Sequence, residues 1–317
     1  MKQLFILILS VTCLLASSVV TPVQQIEVNG VAKDMILRDN TIIVATDNGA
    51  VQVYDYEAKV FSKIITLPKV KDFTGDLVSA RVFSVDKLAS RYVLLSDSGK
   101  GGYANLWLHE NNASTQVLTH THKIAAIKAR FINKEHVLLG LLSNEAVLFD
   151  IKNKKEVFRV QLSESKFSDF ALNDDKSQAV FSCESGVLNV IDTKTGKILK
   201  ELKSENVDNV YKVDFKKDIV SGAGQDRRGA LYDVTMGTGS HIEGSFLIYA
   251  TGLSPSAKKV AFAMDEKNNI SIYRRSSKSL ITKLQGQKST LNTIIFKDEN
   301  VLFSSSDDET VMMWRLK

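Results

Sequence analysis

Cysteine is almost missing from this sequence. Of the two in 317 residues, Cys13 lies in the apolar N-terminal run, which leaves Cys183. One thiol cannot close an internal disulfide, so stability has to come from a packed core, for which 44% hydrophobic residues supply ample material. No CxxC pair occurs, and no Ser-His-Asp arrangement stands out. Charge of one sign is also lacking: 41 basic and 36 acidic residues leave a net +5. No Lys/Arg run is long enough to track a phosphate backbone, which argues against a nucleic-acid partner. Histidines number five, and His120-Thr121-His122 is the only close pair. Two histidines at alternating strand positions can share a metal, but no third ligand cluster accompanies them, so an exposed or structural role is expected. No segment shows a convincing 3.6-residue helical period. Neither a cofactor nor a metal site is therefore predicted.

The N-terminus reads as a processing signal. Met1-Lys2 gives a short positive start, and Leu4 to Ala16, LFILILSVTCLLA, is uncharged over 13 residues. Ala16-Ser17-Ser18 places small residues where a signal peptidase needs them, so residues 1–18 are expected to be a cleaved signal peptide. An uncleaved anchor is the alternative, although the run falls short of the about 20 residues that span a bilayer. Ser10-Val11-Thr12 before Cys13 fits a lipid-attachment box poorly. The mature chain, residues 19–317, is then periplasmic or secreted, with no membrane span.

What the sequence does contain is a ruler. Seven segments share small or polar turn residues followed by an alternating strand with an aromatic or β-branched residue near its end: DNGAVQVYDY, GGYANLWLHE, SNEAVLFDIK, ESGVLNVIDT, DRRGALYDVT, EKNNISIYRR and DDETVMMWRL. The aligned positions are Tyr54, Trp107, Phe149, Ile191, Tyr232, Tyr273 and Trp314, at spacings of 53, 42, 42, 41, 41 and 41. A period of about 40–45 residues is that of a four-stranded propeller blade. The sixth repeat shows all four strands, IYATGLS, KVAFAMD, NISIYRR and SLITKLQ, separated by turn residues. The long first step predicts about ten extra residues in the second blade, at Lys69 to Asp76 or at Asp97 to Tyr103. The last repeat ends after its third strand, and an open sheet edge is a liability. Gln25 to Val28 is therefore expected to pair with the strand around Thr310 to Arg315 and close a seven-bladed, all-β ring.

These residues resemble the WD-repeat family of seven-bladed propellers across the whole mature chain. The best match is C-terminal: Gly286-Gln287, Leu291, Ile294 and Phe296, Ser304 to Ser306, Asp307 or Asp308, and Trp314. The resemblance implies a hydrogen-bonded brace inside each blade. Here Gln287 stands in the histidine slot and Arg315 replaces the aspartate of Trp-Asp. Asp55, Asp150, Asp192 and Asp233 keep that aspartate without the tryptophan, so the braces are expected to be incomplete.

The stretch SGAGQDRRGALYDV, Ser221 to Val234, looks at first like a phosphate-cradling glycine loop. Such a site needs a helix after the glycines, and here a strand follows. Gln225 to Gly229 is read as the hairpin between second and third strands, with glycine supplying positive φ and Asp226 a local turn bond. Trp107 and Trp314 occupy the repeat's own aromatic slot, Met264, Met312 and Met313 read as core, and Cys183 in AVFSCESG reads as a small buried hydrophobe. The inner-strand segments AAIKARF, VYKVDF and LNTIIF are poor in metal ligands, with Asp214 the one candidate. Asn112-Ala113-Ser114 is an N-glycosylation acceptor in a turn, with Glu110 two places before it.

A rigid disc without a catalytic cluster points to a non-catalytic, protein-binding scaffold. The alternatives are a propeller enzyme of hydrolase or lactonase type with a channel metal and a different envelope assembly scaffold. The overall pattern also resembles the NapL family of periplasmic nitrate reductase accessory proteins. That resemblance implies an accessory role beside a molybdenum reductase, with its components as partners and no catalysis by this chain.

Overall fold

A computed structural model describes residues 19–317; the signal-peptide reading of residues 1–18 lies outside the described residues. Seven blades follow one another along the chain. Each is an antiparallel sheet whose strands A to D run outward from the axis. Blade 1 has strands Ala32–Arg38, Thr41–Thr46, Ala50–Asp55 and Val60–Thr66, and blade 3 has Ala126–Phe131, His136–Leu141, Glu145–Asp150 and Lys155–Gln161. The sixth blade consists of Thr251–Leu253, Lys259–Ala263, Ile270–Arg274 and Leu280–Leu284, as its repeat predicts.

Local chemistry makes each hairpin. At five A-to-B turns a single non-glycine residue takes up left-handed backbone, namely Asp39, Ala89, Lys176, Lys217 and Ala257. Tight hairpins need this to match strand twist. At the end of strand C, the recurrent aspartates cap the next turn. Asp55 accepts the N–H groups of Glu57 and Ala58, Asp150 those of Lys152 and Asn153, Asp192 those of Lys194 and Thr195, and Asp233 that of Met236. The residues read as remnants of Trp-Asp pairs are thus turn formers in their own right.

Burial falls from the inner sheet outward. Strand B of blade 3, His136–Leu141, is buried at all but its first residue, whereas the outer strand Lys155–Gln161 is mostly exposed. The core lies between blades. One cluster joins Val93 and Leu95 of blade 2 to Phe131, Leu139 and Phe149 of blade 3. Cys183 is buried, as expected of a small hydrophobe.

Ring closure follows the expected strand. Gln24–Glu27 forms the outer strand of blade 7, antiparallel to Thr310–Arg315, with Gln25 opposite Met312 and Ile26 opposite Val311. The Val28 N–H donates to Glu309 O at 2.8 Å. Val19–Val20 adds a short parallel strand to the edge of blade 6, against Lys283 and Leu284.

In blade 7 the tryptophan, serine and glutamine members of the brace are linked, while no aspartate joins them, as the expectation of incomplete braces has it. Trp314 is fully buried, and its Nε1–H donates to Ser304 Oγ at 2.8 Å. Ser304 Oγ donates to Gln287 Oε1 at 2.8 Å, and Gln287 Nε2 donates to Ser306 Oγ at 2.5 Å. A glutamine amide both accepts and donates, so it spans the same gap that the histidine would. In blade 2, Trp107 Nε1–H reaches Ser96 Oγ at 3.1 Å.

The extra residues of the second repeat occupy both candidate places. Val70–Lys71 and Leu77–Val78 form a small hairpin between blades 1 and 2, and Gly99 of the long B-to-C turn packs against it so closely that a Cβ would lie 2.1 Å from Lys71 O.

Candidate functional site

Strand alternation divides the disc into two faces. The D-to-A and B-to-C connections emerge on one, here termed the connection face. The A-to-B and C-to-D turns emerge on the other, the turn face.

The glycine stretch lies on the connection face and is a hairpin: Ile219–Gly224 turns at Gln225 to Arg227 into Arg228–Asp233. Asp226 accepts from the N–H of Arg228 and of Val207. The positive φ is carried by Arg227, not by a glycine, which corrects the sequence reading. The glycines answer to packing: a Cβ on Gly229 would meet the Phe262 ring at 2.8 Å, and one on Gly224 would meet Asp226 Oδ1 at 2.2 Å.

On the turn face, the channel opens into a cavity of about 650 Å³ walled by the inner strands. Its walls are charged, against the expectation that the inner strands are poor in such groups. Asp34, Asp86, Asp169 and Asp214 come from strands A of blades 1, 2, 4 and 5. Each carboxylate accepts an N–H from a neighbouring blade: Asp34 from Val85 at 2.9 Å, Asp86 from Phe131 at 2.9 Å, Asp169 from Val213 at 3.2 Å and Asp214 from Leu253 at 2.8 Å. Asn292 Nδ2 donates to Ala32 O at 2.8 Å across the junction of blades 7 and 1, and the Ser256 N–H donates to Glu299 across that of blades 6 and 7. Blade 3 supplies cations instead. Arg130 grips both oxygens of Asp34 at 2.7 and 2.8 Å, and Lys128 Nζ reaches Asp169 at 2.6 Å. All seven junctions are thereby strapped near the axis.

These straps fix the charge states. Burial alone would raise the Asp34 pKa, but Arg130, with help from Lys128 and the Val85 N–H, holds it at about 2. Burial pushes the Lys128 ammonium down, against the opposing pull of Asp169. Asp214, the one expected candidate, also accepts the Phe215 N–H and serves as a strap. The carboxylates are thus engaged in joining blades. Among the described residues no group of three or more histidine, cysteine or acidic side chains is placed to hold a metal. His120 and His122 lie in a short 3-10 turn, where His122 Nδ1 faces Thr119.

The connection face differs in kind. Phe73 is 97% exposed, Val207 65% and Leu77 62%, with Val78, Ile127 and Leu142 also exposed. Phe73, Leu77 and Val78 belong to the extra hairpin, and Val207 to the connection between blades 4 and 5, from Leu202 to Val210. Tyr211 and Tyr249 stack with centroids 5.1 Å apart, and Phe246 packs beside Tyr249. By contrast, Met236 is the only large exposed hydrophobe in the turns of the other face among the described residues.

Asn112 lies on the rim, in the exposed C-to-D turn of blade 2. Its backbone is left-handed, and its Oδ1 accepts from Lys63 Nζ at 3.0 Å. Ser114 of the acceptor triplet pairs with His109 Nδ1 at 2.9 Å.

No family model matches the sequence, and no curated protein matches it. Solved structures do match in shape. A chain of the mitotic checkpoint complex is 14% identical with a TM-score of 0.78, covering 100% of this chain and 98% of that one. The β-propeller domain of Cps50 (Swd1) from Myceliophteria thermophila is 13% identical with a TM-score of 0.73, covering 93% and 99%. The fold is that of a seven-bladed β-propeller, and at these identities the likeness is one of fold.

Proposed function

We propose that this chain is a non-catalytic protein-binding scaffold whose contact surface is the connection face. The observation that carries this is the placement of exposed apolar side chains. Six of the large ones, Phe73, Leu77, Val78, Ile127, Leu142 and Val207, belong to that face, beside the stacked Tyr211 and Tyr249. Exposed apolar and aromatic side chains on a rigid frame are what protein contacts use. The frame is rigid because its junctions are strapped around the axis, and carboxylates spent on straps are poorly placed for catalysis.

The finer reading, supported by resemblance in sequence, is an accessory factor of a periplasmic nitrate reductase. The propeller of residues 19–317 would then be exported after removal of residues 1–18, and Asn112, exposed at a turn, would be open to glycosylation.

Affinity capture from cells that make the protein tests both levels. The wild-type chain is expected to retain a stoichiometric protein partner that a Val207→Asp, Leu142→Asp variant loses. Recovery of reductase subunits or their maturation factors supports the finer reading. A partner held equally by both chains would refute the assignment of the face.

A further inference from the structure

The turn-face cavity holds charge that its walls do not balance. Seven cations and six carboxylates line it. Three pairs neutralise each other at close range: Arg130 with Asp34, Arg38 with Asp86, and Lys128 with Asp169. Lys87 and Asp39 meet at 3.5 Å near the rim, and Lys216 and Asp174 at 3.8 Å. Lys176, Lys212 and Asp214 remain. Asp214 has both oxygens taken by backbone N–H groups. Lys176 Nζ donates to Phe131 O at 2.7 Å and has no carboxylate within ion-pair distance. Lys212 is half-buried, and its side chain makes no hydrogen bond or ion pair among the described residues.

An ammonium withdrawn from bulk water and left without a counter-charge is costly. Lys212 gains nothing structural from its place: it straps no junction and pairs with no neighbour. The cavity it borders has the volume of a small-molecule site. Lys176 borders it from the A-to-B turn of the adjacent blade 4, and Lys128 of blade 3 acts on the same region.

We propose that the turn-face mouth of the channel binds a compact oxyanion with at least two negative oxygens, of phosphate or dicarboxylate type, held by Lys212 and Lys176. Lysine binds such groups as a point charge from a flexible stem, so two lysines on neighbouring blades that border one cavity can reach one anion. Five of the six lining carboxylates are offset by a paired cation, which leaves Asp214 as the one carboxylate without an ion-pair partner there. This site lies on the face opposite the proposed protein contact and is independent of it.

The test is titration of the full chain with inorganic phosphate, and separately with malonate, at fixed ionic strength. Heat of binding and thermal shift are both read, with chloride as the control. One or both oxyanions are expected to bind saturably at one site, raising the melting temperature by mass action. Phosphate and malonate responses separate the two anion sources. Lys212→Met, which breaks no contact, is expected to fold as the wild type does and to weaken binding about tenfold or more. Lys176→Met gives the same loss from the neighbouring blade. A non-saturable response equal to that of chloride overturns the proposal, as does unchanged affinity in a folded Lys212→Met variant.

Discussion

The two faces of this disc are built from the same repeat and have opposite chemistry. At the turn face, charged side chains point inward on one another: Arg130 holds Asp34, Lys128 holds Asp169, and Arg38 holds Asp86. At the connection face, apolar side chains such as Phe73 and Val207 are turned to solvent with nothing over them. The difference teaches a division of labour. Most carboxylates near the axis are consumed in joining blades, which ties that region together. The apolar groups on the other side are turned to solvent, where the proposed protein contact would use them.

The comparison can be broken in graded steps. The largest effect is expected from removing the closing strand. A chain lacking Gln25 to Val28 loses the pairing with Thr310–Arg315 and the burial of Ile26 and Val28. Its melting temperature should fall steeply with loss of a single cooperative transition in calorimetry; an unchanged transition would show that the ring closes otherwise.

Next come the straps. Asp34→Ala leaves the Arg130 guanidinium and the Val85 N–H buried without their acceptor. It should destabilise by about 3–5 kcal/mol, and Asp34→Leu combined with Arg130→Met should recover most of that. Chemical denaturation of the single and double variants measures both. Equal losses would mean that the pair is worth more than its replacement.

A smaller effect is expected in acid. Asp34 has a folded pKa of about 2, below its ordinary 3.8. Its contribution is therefore complete above about pH 4 and is lost as pH falls through the folded value. Relative to Asp34→Asn, the wild-type chain should lose about 2 kcal/mol of stability between pH 5 and pH 2. Parallel curves for the two chains would contradict the assignment.

Gln287→Ala removes the link between Ser304 and Ser306 in the blade-7 brace. It should cost about 1–3 kcal/mol, with Gln287→His restoring part of it. Smallest of all, Val207→Ser at the connection face should leave denaturation within about 0.5 kcal/mol of wild type, as surface substitutions do.

The blades were legible because each repeat states its own turns and its aromatic slot. Tyr54 through Trp314 set the period, and the sixth repeat showed four strands outright. Closure was legible because an unpaired edge in blade 7 called for a partner and VQQIEVNG was the segment available. The channel was not. Arg130 and Asp34 are 96 residues apart, and neither is unusual in its own strand. Asp34, Asp86 and Asp169 become visible only when strands A are aligned blade against blade, because unlike the aromatic slot they do not recur at one position of every repeat. The glycines of the Ser221 stretch misled for a related reason. A local rule assigns glycine to a turn, whereas Gly229 answers to the Phe262 ring of the next blade. Gln287 in place of histidine hid the Trp314–Ser304–Gln287 link of blade 7, because residue identity changed while donor and acceptor capacity did not.

The most direct test of the division between faces is hydrogen–deuterium exchange on the chain with and without its captured partner. The account predicts slowed exchange in residues 68–80, 142–144, 203–209 and 244–250 on the connection face, with residues 37–39, 87–89 and 173–176 on the turn face unchanged. Protection confined to the turn-face segments would contradict it.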